Sequence, residues 1–280
     1  MGTETEQTYL DDVFGAARGA VTSHDLARDL FDRTADDYQR RSEHRVTSFS
    51  SLIFRRRIEI VTSFLDRIPS PGRALDYGMG PAVFARSCVE RRLQYVGIDI
   101  SPVMVQRATA LGLNSARYLV GDLNSLAEFK GQMDGVLAIG LLDYLEDPHE
   151  GIEALSRCVR PGGVMIVSFR NRYSLPRLLR DFARTLLHPW RRPSNRRAFF
   201  GLVHERAFDV SSELIPALQC RGFERFDTAY FNCSPMFFDV PMPAWLWRRW
   251  HLWDVALASP STRYCCSGGV LVAQKRVDAS

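Results

Sequence analysis

Several things are scarce in this 280-residue sequence, and each scarcity excludes something. No apolar run approaches the ~18 residues that a membrane-spanning helix needs, so helical spans are not expected. Lysine occurs only at 130 and 275, leaving 34 of the 36 basic residues as arginine, a skew we read as genome composition rather than function. The six cysteines (88, 158, 220, 233, 265 and 266) make no CxxC pair. They form no Cys/His cluster with ligand spacing, which excludes a structural zinc site and leaves no metal expected. They read instead as small apolar fillers, with no disulfide required on grounds of size. The start, "MGTETEQTYLDD", is acidic and polar, so neither a signal nor a transit peptide is expected and a cytoplasmic location follows. Repeats and low-complexity tracts are missing too.

What is present suits a globular domain. Hydrophobic residues make up 46% of the chain and charged residues 24%. The net charge of +4 is uneven: nine arginines and one acid, Asp181, lie between Arg170 and Arg197, so that segment carries +8 and the remainder sums to −4. The basic character therefore belongs to one local surface.

Two helical patterns come first. In 24–44, Leu26, Leu30, Phe31, Thr34 and Tyr38 recur at steps of three and four, and in 50–67 Phe54, Ile58, Val61 and Leu65 share a face. "PSPG" at 69–72 then breaks the chain. We expect an N-terminal helical cap over 1–70 and a main domain over 71–280. From 73 onward, short apolar runs alternate with helices: "RALDY", then Pro81 to Arg92; "QYVGID", then Pro102 to Leu111; "ARYLVGD", then a short helix near 125–129; "MDGVLAIG", then Pro148 to Val159; and "GGVMIVSF". "ERFDTAYF" and "GGVLVAQKR" supply two later strands, with a helix before the first of them, capped near Asp209 or Ser211 and closed by Gly222. This is the pattern of an α/β, Rossmann-like, doubly wound and mostly parallel seven-stranded sheet. Prolines 81, 102 and 148 are placed at first helical turns, where a missing N–H costs nothing.

Gly78 and Gly80 follow the first strand. Glycine lets the main chain take positive φ and lets a ligand approach closely, and the turn leads toward a helix N-terminus. Asp99 stands 21 residues after Gly78, at the end of the second strand, where a carboxylate can accept both hydroxyls of a ribose. The spacing for a pyrophosphate reader would need glycine at 83, but the residue is Val83.

"ALDYGMGPAVFA", "VGIDISPVMVQRA", "VGDLNSL", "MDGVLAIGLLDYLEDP" and "LSRCVRPGGVMIVSF", in that order and spacing, resemble the five motifs of class I S-adenosylmethionine-dependent methyltransferases. The nearest likeness is to the small-molecule branch typified by ubiquinone and menaquinone biosynthesis. The resemblance implies that S-adenosylmethionine is the cofactor and S-adenosylhomocysteine the product. It implies that Gly78, Met79 and Gly80 line the methionine part, with Asp76 supporting the loop. Asp99 would hold the ribose, Ile100 and Met104 flank the adenine, and Asp122 with the Leu123 N–H read its edge. Ile139 and Gly140 would meet the amino-acid end, and Tyr38 close over it from the cap. The family pattern GxGxG is broken at Ala82. Plainer readings stand beside these: Asp122 as a helix cap, Tyr38 as core, and Asp76 as structural support. Ser101 before Pro102 already serves as an N-cap, which favours the ribose reading for Asp99.

Candidate bases are Asp143, Tyr144, Tyr173 and His204. His204, in "VHERAF", also fits a packing and capping role, and Asp143 also fits a solvated loop carboxylate. The fourth motif has no NPPY-like or Pro-Cys sequence, which disfavours methylation of adenine N6 or cytosine C5. The expected reaction moves a methyl group to O, N or C of a small acceptor, hydrophobic or carrying an anionic tail. An RNA methyltransferase and a non-catalytic S-adenosylmethionine-binding module are the alternatives, and no sequence-specific nucleic acid is expected. Insertions at about 170–205 and 235–262 read as a substrate lid. Segments 174–197 and 245–257, basic and holding all five tryptophans, also suit peripheral membrane contact.

Overall fold

The computed structural model describes residues 28–29, 31–32, 35, 49–176, 178–179, 206–233, 243–258 and 260–277. The first long helix, α1 (Phe49–Leu65), buries Val61, Phe64 and Leu65 at three- and four-residue steps. They pack, with Ile68 just beyond the helix, in a core cluster that reaches Ala74, Leu137 and Val272 of the sheet. Gly135 permits this close approach, since a Cβ there would fall 2.4 Å from Ile68 Cδ1. Losing a fully buried leucine such as Leu65 to alanine costs about 2–5 kcal/mol.

Seven strands follow: β1 (Gly72–Tyr77), β2 (Leu93–Asp99), β3 (Ala116–Val120), β4 (Met133–Ala138), β5 (Val159–Arg170), β6 (Phe223–Phe231) and β7 (Gly268–Lys275). They form one sheet in the order β3-β2-β1-β4-β5-β7-β6. β1 through β5 pair in parallel, and β7 runs antiparallel between β5 and β6. β1 and β4 are buried almost throughout, as strands covered on both faces must be. Strand order reverses at β1, so the crevice at its carboxyl end is the place where such sheets bind ligands.

Further helices among the described residues are α2 (Ala85–Glu90), α3 (Pro102–Thr109), α4 (Pro148–Cys158), α5 (Ile215–Gln219) and α6 (Ala244–Leu257). Their start signals are chemical. Ser101 caps α3 by accepting from the Met104 N–H, and Asp147 caps α4 by accepting from His149 and Glu150. Pro102 and Pro148 occupy the first turns as expected, but Pro81 does not. Gly80 and Ala82 both take positive φ, 55° and 56°, so the chain cannot be helical around Pro81, and α2 begins at Ala85. The segment near 125–129 is a 3-10 helix, Leu123–Phe129. The late helix opens as a wide π turn, Val210–Leu214, capped by Asp209, before Pro216 enters α5.

The reading of all six cysteines as fillers is corrected. Cys88 and Cys158 are buried free thiols, but Cys233 and Cys266 are joined by a disulfide, S–S 2.09 Å. The register that pairs Phe231 with Gly268, continued two residues past the strand ends, brings 233 opposite 266. That register belongs to the tertiary fold and is invisible in the spacing.

Candidate functional site

Asp76 lies inside β1, 1% exposed, and accepts a 2.7 Å hydrogen bond from the Tyr95 hydroxyl of β2. Burial pushes its carboxyl up to about 7; the Tyr95 bond opposes the rise and the charge of Asp99 adds to it. After Tyr77 the chain turns on Gly78, φ 73°. The N–H groups of Gly78 and Met79 both donate to the Ile98 carbonyl, at 2.8 and 3.2 Å, which ties the turn to the end of β2. The Met79 side chain is buried and fills the notch left by Gly97, where a Cβ would stand 2.1 Å from its sulfur. It faces the core, so Met79 offers the turn its backbone. A Cβ at Gly80 would meet no atom within 4 Å, so this part of the turn is open.

Asp99 closes the arrangement. Its Oδ2 accepts from the Gly80 N–H at 2.8 Å and its Oδ1 from the Ser101 N–H at 2.9 Å. Burial raises its pKa, and those backbone donors partly offset the rise. The Ile100 N–H adds to these donors, and the carboxylate still has capacity for a further one. Its backbone carbonyl accepts from the Gly121 N–H at 3.0 Å, bringing the loop after β3 alongside. Burial first, then the charges of Asp122 and Asp99, keep the Tyr77 hydroxyl protonated far above its ordinary range. Ile100 and Leu123 are half-buried on these two loops, and Met104 is buried in α3. Asp122 is a helix cap: its carboxylate accepts from the N–H groups of Asn124 and Ser125. Burial pushes its carboxyl up; hydrogen bonds from Asn124 and Ser125 outweigh that and hold it low.

On the other side of β1, the Gly140 N–H donates to the Ser168 hydroxyl of β5 at 2.7 Å, next to half-buried Ile139. Arg57 of α1 reaches the same point: a Cβ on Gly140 would stand 2.9 Å from its Nη1. The guanidinium is supported by the Phe54 ring, 4.5 Å to the centroid. Sequence reasoning missed Arg57. It sits in a run of three arginines, and only the helix rotation separates it from Arg55 and Arg56, which pair with Glu59.

Asp143 follows β4. It is 7% exposed and ion-paired with Arg170 at 3.1 Å, so it is not the solvated carboxylate that was one reading of it. Tyr144 meets Phe31 edge-on, centroids 5.6 Å apart, while Asp32 accepts from the Ser101 hydroxyl. Phe31 and Asp32, neighbours in the chain ahead of α1, thus touch the loops after β4 and after β2, bridging the crevice; from the sequence Phe31 was read only as part of a helical face, and Asp32 was not singled out. Tyr173 is exposed and lies against Tyr264, centroids 6.4 Å apart. Tyr38 and His204 lie outside the described residues, as does much of the expected lid. Among the described residues no cluster could hold a metal ion, and no helix is long and apolar enough to cross a membrane.

Comparison with known proteins gives the family and the fold. A family model described as a methyltransferase domain matches residues 49–224. A ubiquinone biosynthesis O-methyltransferase of Xanthomonas oryzae is 32% identical over 120 residues, covering 41% of this chain and 49% of the relative. A malonyl-[acyl-carrier protein] O-methyltransferase of Prosthecochloris aestuarii is 32% identical over 103 residues, covering 35% and 38%. The chain thus spans about half the length or less of these curated relatives. Among solved structures, the magnesium protoporphyrin IX methyltransferase of Synechocystis with bound SAH superposes with TM-score 0.60 at 18% identity, covering 89% of this chain and 98% of that one. A SAM-dependent methyltransferase of Thermotoga maritima gives 0.56 at 18% identity, covering 89% and 99%. At that identity the likeness is one of fold.

Proposed function

The chain belongs to the methyltransferase-domain family, matched over well more than half its length, and from that premise we propose that it transfers the methyl group of S-adenosylmethionine to a small organic acceptor. One observation carries the reading: the turn at Gly78–Gly80, open at Gly80, is held by Asp99 on one side of β1, while Arg57 stands over Gly140 on the other. The residues fit the parts of that cofactor. Asp99 has acceptor capacity left for a ribose hydroxyl. The bare backbone at Gly80 admits a ligand. The Arg57 guanidinium suits a carboxylate, which it can grip with two N–H groups. Asp122, though it caps a helix, lies on the loop beside Asp99, where an adenine edge can meet the lone pair left on its Oδ2 and the Leu123 N–H.

When bound, the cofactor supplies an already activated methyl group, so the protein's work is placement. Fixing donor and acceptor in line can supply roughly 7–11 kcal/mol. Phe31 and Asp32, bridging the loops after β4 and β2, serve to exclude water. Asp143, paired with Arg170, fixes the loop after β4. Tyr144 and Tyr173 remain the hydroxyls available to orient an acceptor. The exposed Tyr173 and Tyr264 rings and the leucines that follow Tyr173 favour an acceptor with apolar or aromatic character.

Calorimetry with S-adenosylmethionine and S-adenosylhomocysteine tests the first half. Binding at micromolar levels is expected, and indifference at millimolar levels sinks the reading. Release of S-adenosylhomocysteine with a panel of phenols, quinols, amines and carrier-bound acids tests the second. Binding without release from any acceptor, RNA included, would make the chain a cofactor-binding module.

A further inference from the structure

Helix α6 has two unlike faces. On the inner one, Leu246, Trp247 and Trp250 pack against Leu52 and Ile53. Asp254, on the same face, accepts from Arg56 and from the Cys233 N–H, and His251 lies 3.7 Å from Glu59. These residues recur at three- and four-residue steps and anchor the helix on α1. The outer face is aromatic, as the sequence of 245–257 led one to expect. Trp245, Leu252, Trp253 and Val255 are 63, 68, 67 and 48% exposed. Arg248 and Arg249 are exposed among them. The only acid in the helix, Asp254, is turned inward, so the outer face is aromatic and cationic with no negative charge.

The arrangement of charge says what would cover it. Arg249 stands four residues after Trp245 and four before Trp253, in the middle of the apolar strip rather than at its rim. Tryptophan and arginine are also enriched at protein–protein interfaces, but an outer face with two cations and no acid is matched most simply by an anionic surface. In a lipid headgroup layer the same pattern is favourable. Arginine lays its stem along apolar surface and reaches a phosphate, and tryptophan sits with its ring at the acyl boundary and its N–H in water. The helix has 14 residues, about 21 Å, too short to span a bilayer but long enough to lie along one.

We propose that the outer face of α6 docks the protein on an anionic lipid bilayer. The helix lies in the plane of the interface, with Trp245, Leu252 and Trp253 entering the headgroup boundary and Arg248 and Arg249 pairing with lipid phosphates. This docking does not depend on the methyl-transfer reading and would survive its failure.

Flotation of the full chain with phosphatidylcholine vesicles, and with vesicles holding about a third phosphatidylglycerol, tests it. The expected result is capture by the anionic vesicles, a blue shift of tryptophan emission, and release of most of the protein as NaCl rises to about 0.5 M. Trp245→Ser, Leu252→Ser and Trp253→Ser together should lower partitioning by at least about tenfold, because three buried-in-lipid side chains are lost. Arg248→Gln and Arg249→Gln should each lower it about fivefold, on anionic vesicles only. Thermal melting of these outward-facing variants should match the parent, which keeps a folding defect apart from a docking defect. Equal capture by both vesicle types, no capture, or capture unchanged in the triple variant overturns the proposal. So does sedimentation showing an oligomer that the triple variant dissociates, for then a second copy, not lipid, covers the face.

Discussion

The backbone N–H of Gly80 donates to Oδ2 of Asp99 at 2.8 Å, so the acid that ends β2 also sets the shape of the turn that ends β1. On the proposed reading, one side chain would serve both the ligand and the loop that receives it. Asp99→Ala is expected to weaken S-adenosylmethionine binding by at least about tenfold, through the loss of charge-assisted hydrogen bonds. It should also lower the melting temperature, since two backbone donors lose their acceptor. Calorimetry and thermal melting read the two effects. Unchanged affinity would remove Asp99 from the ribose site.

Arg57 offers a sharper dissection. If its guanidinium holds the carboxylate of the cofactor, Arg57→Ala costs about 1.5–3 kcal/mol of binding, roughly ten- to a hundredfold. Methylthioadenosine has no carboxylate, and its affinity should be the same for parent and variant. An equal loss for both ligands would mean that Arg57 acts by packing, through its contact with Phe54.

Asp76 predicts a pH dependence of stability. Its carboxyl sits at about 7 in the folded protein against an ordinary value of 3.8. A raised value means that the folded state holds the proton more tightly than the unfolded one. The favourable contribution is complete below pH 3.8 and is lost as pH rises through about 7. Asp76→Asn can still accept from Tyr95 and carries no charge to desolvate. Its stability advantage over the parent should be small near pH 4, grow up to about pH 7–8, and reach on the order of a few kcal/mol. Denaturant titrations across that range decide it. A constant difference would show that Asp76 does not titrate there.

Gly97 is the seat of the Met79 side chain. Gly97→Ala puts a methyl group 2.1 Å from the Met79 sulfur and 3.0 Å from Tyr95 Cε1. Overpacking of this kind costs about 1–3 kcal/mol. Because Met79 lies in the turn, cofactor affinity should fall as well. Adding Met79→Ala should recover part of both losses, with a coupling of at least about 0.5 kcal/mol in a double-mutant cycle. Additive effects would show that the two residues do not share the space.

Much of the fold was legible because its signals are local. Apolar runs of strand length were bounded by turn residues, and Ser101–Pro102 and Asp147–Pro148 are helix starts written in side-chain chemistry. Pro81 misled for a physical reason: the left-handed residues on both sides of it, Gly80 and Ala82, override its preference for a first helical turn. The position of β7 between β5 and β6 and the Cys233–Cys266 bond depend on long-range register, which carries no local mark. In the site, Gly78, Gly80 and Asp99 could be found because glycine and a strand-end acid are unusual where they stand. Arg57 could not, because its neighbours are also arginines and its meaning lies in the rotation of α1. The Tyr95–Asp76 bond was hidden as well, since a tyrosine within a strand reads as core until the hydroxyl has somewhere to point.

Placing β7 inside the sheet, with β5 on one side and β6 on the other, has a consequence for biosynthesis. Until the ribosome has released the chain past residue 275, β6 has no neighbour and the free edge of β5 stays bare. A nascent chain stalled before Gly268 would expose both edges, and a nonsense codon in the last strand would unpair β6 and bare the edge of β5 rather than trim a tail.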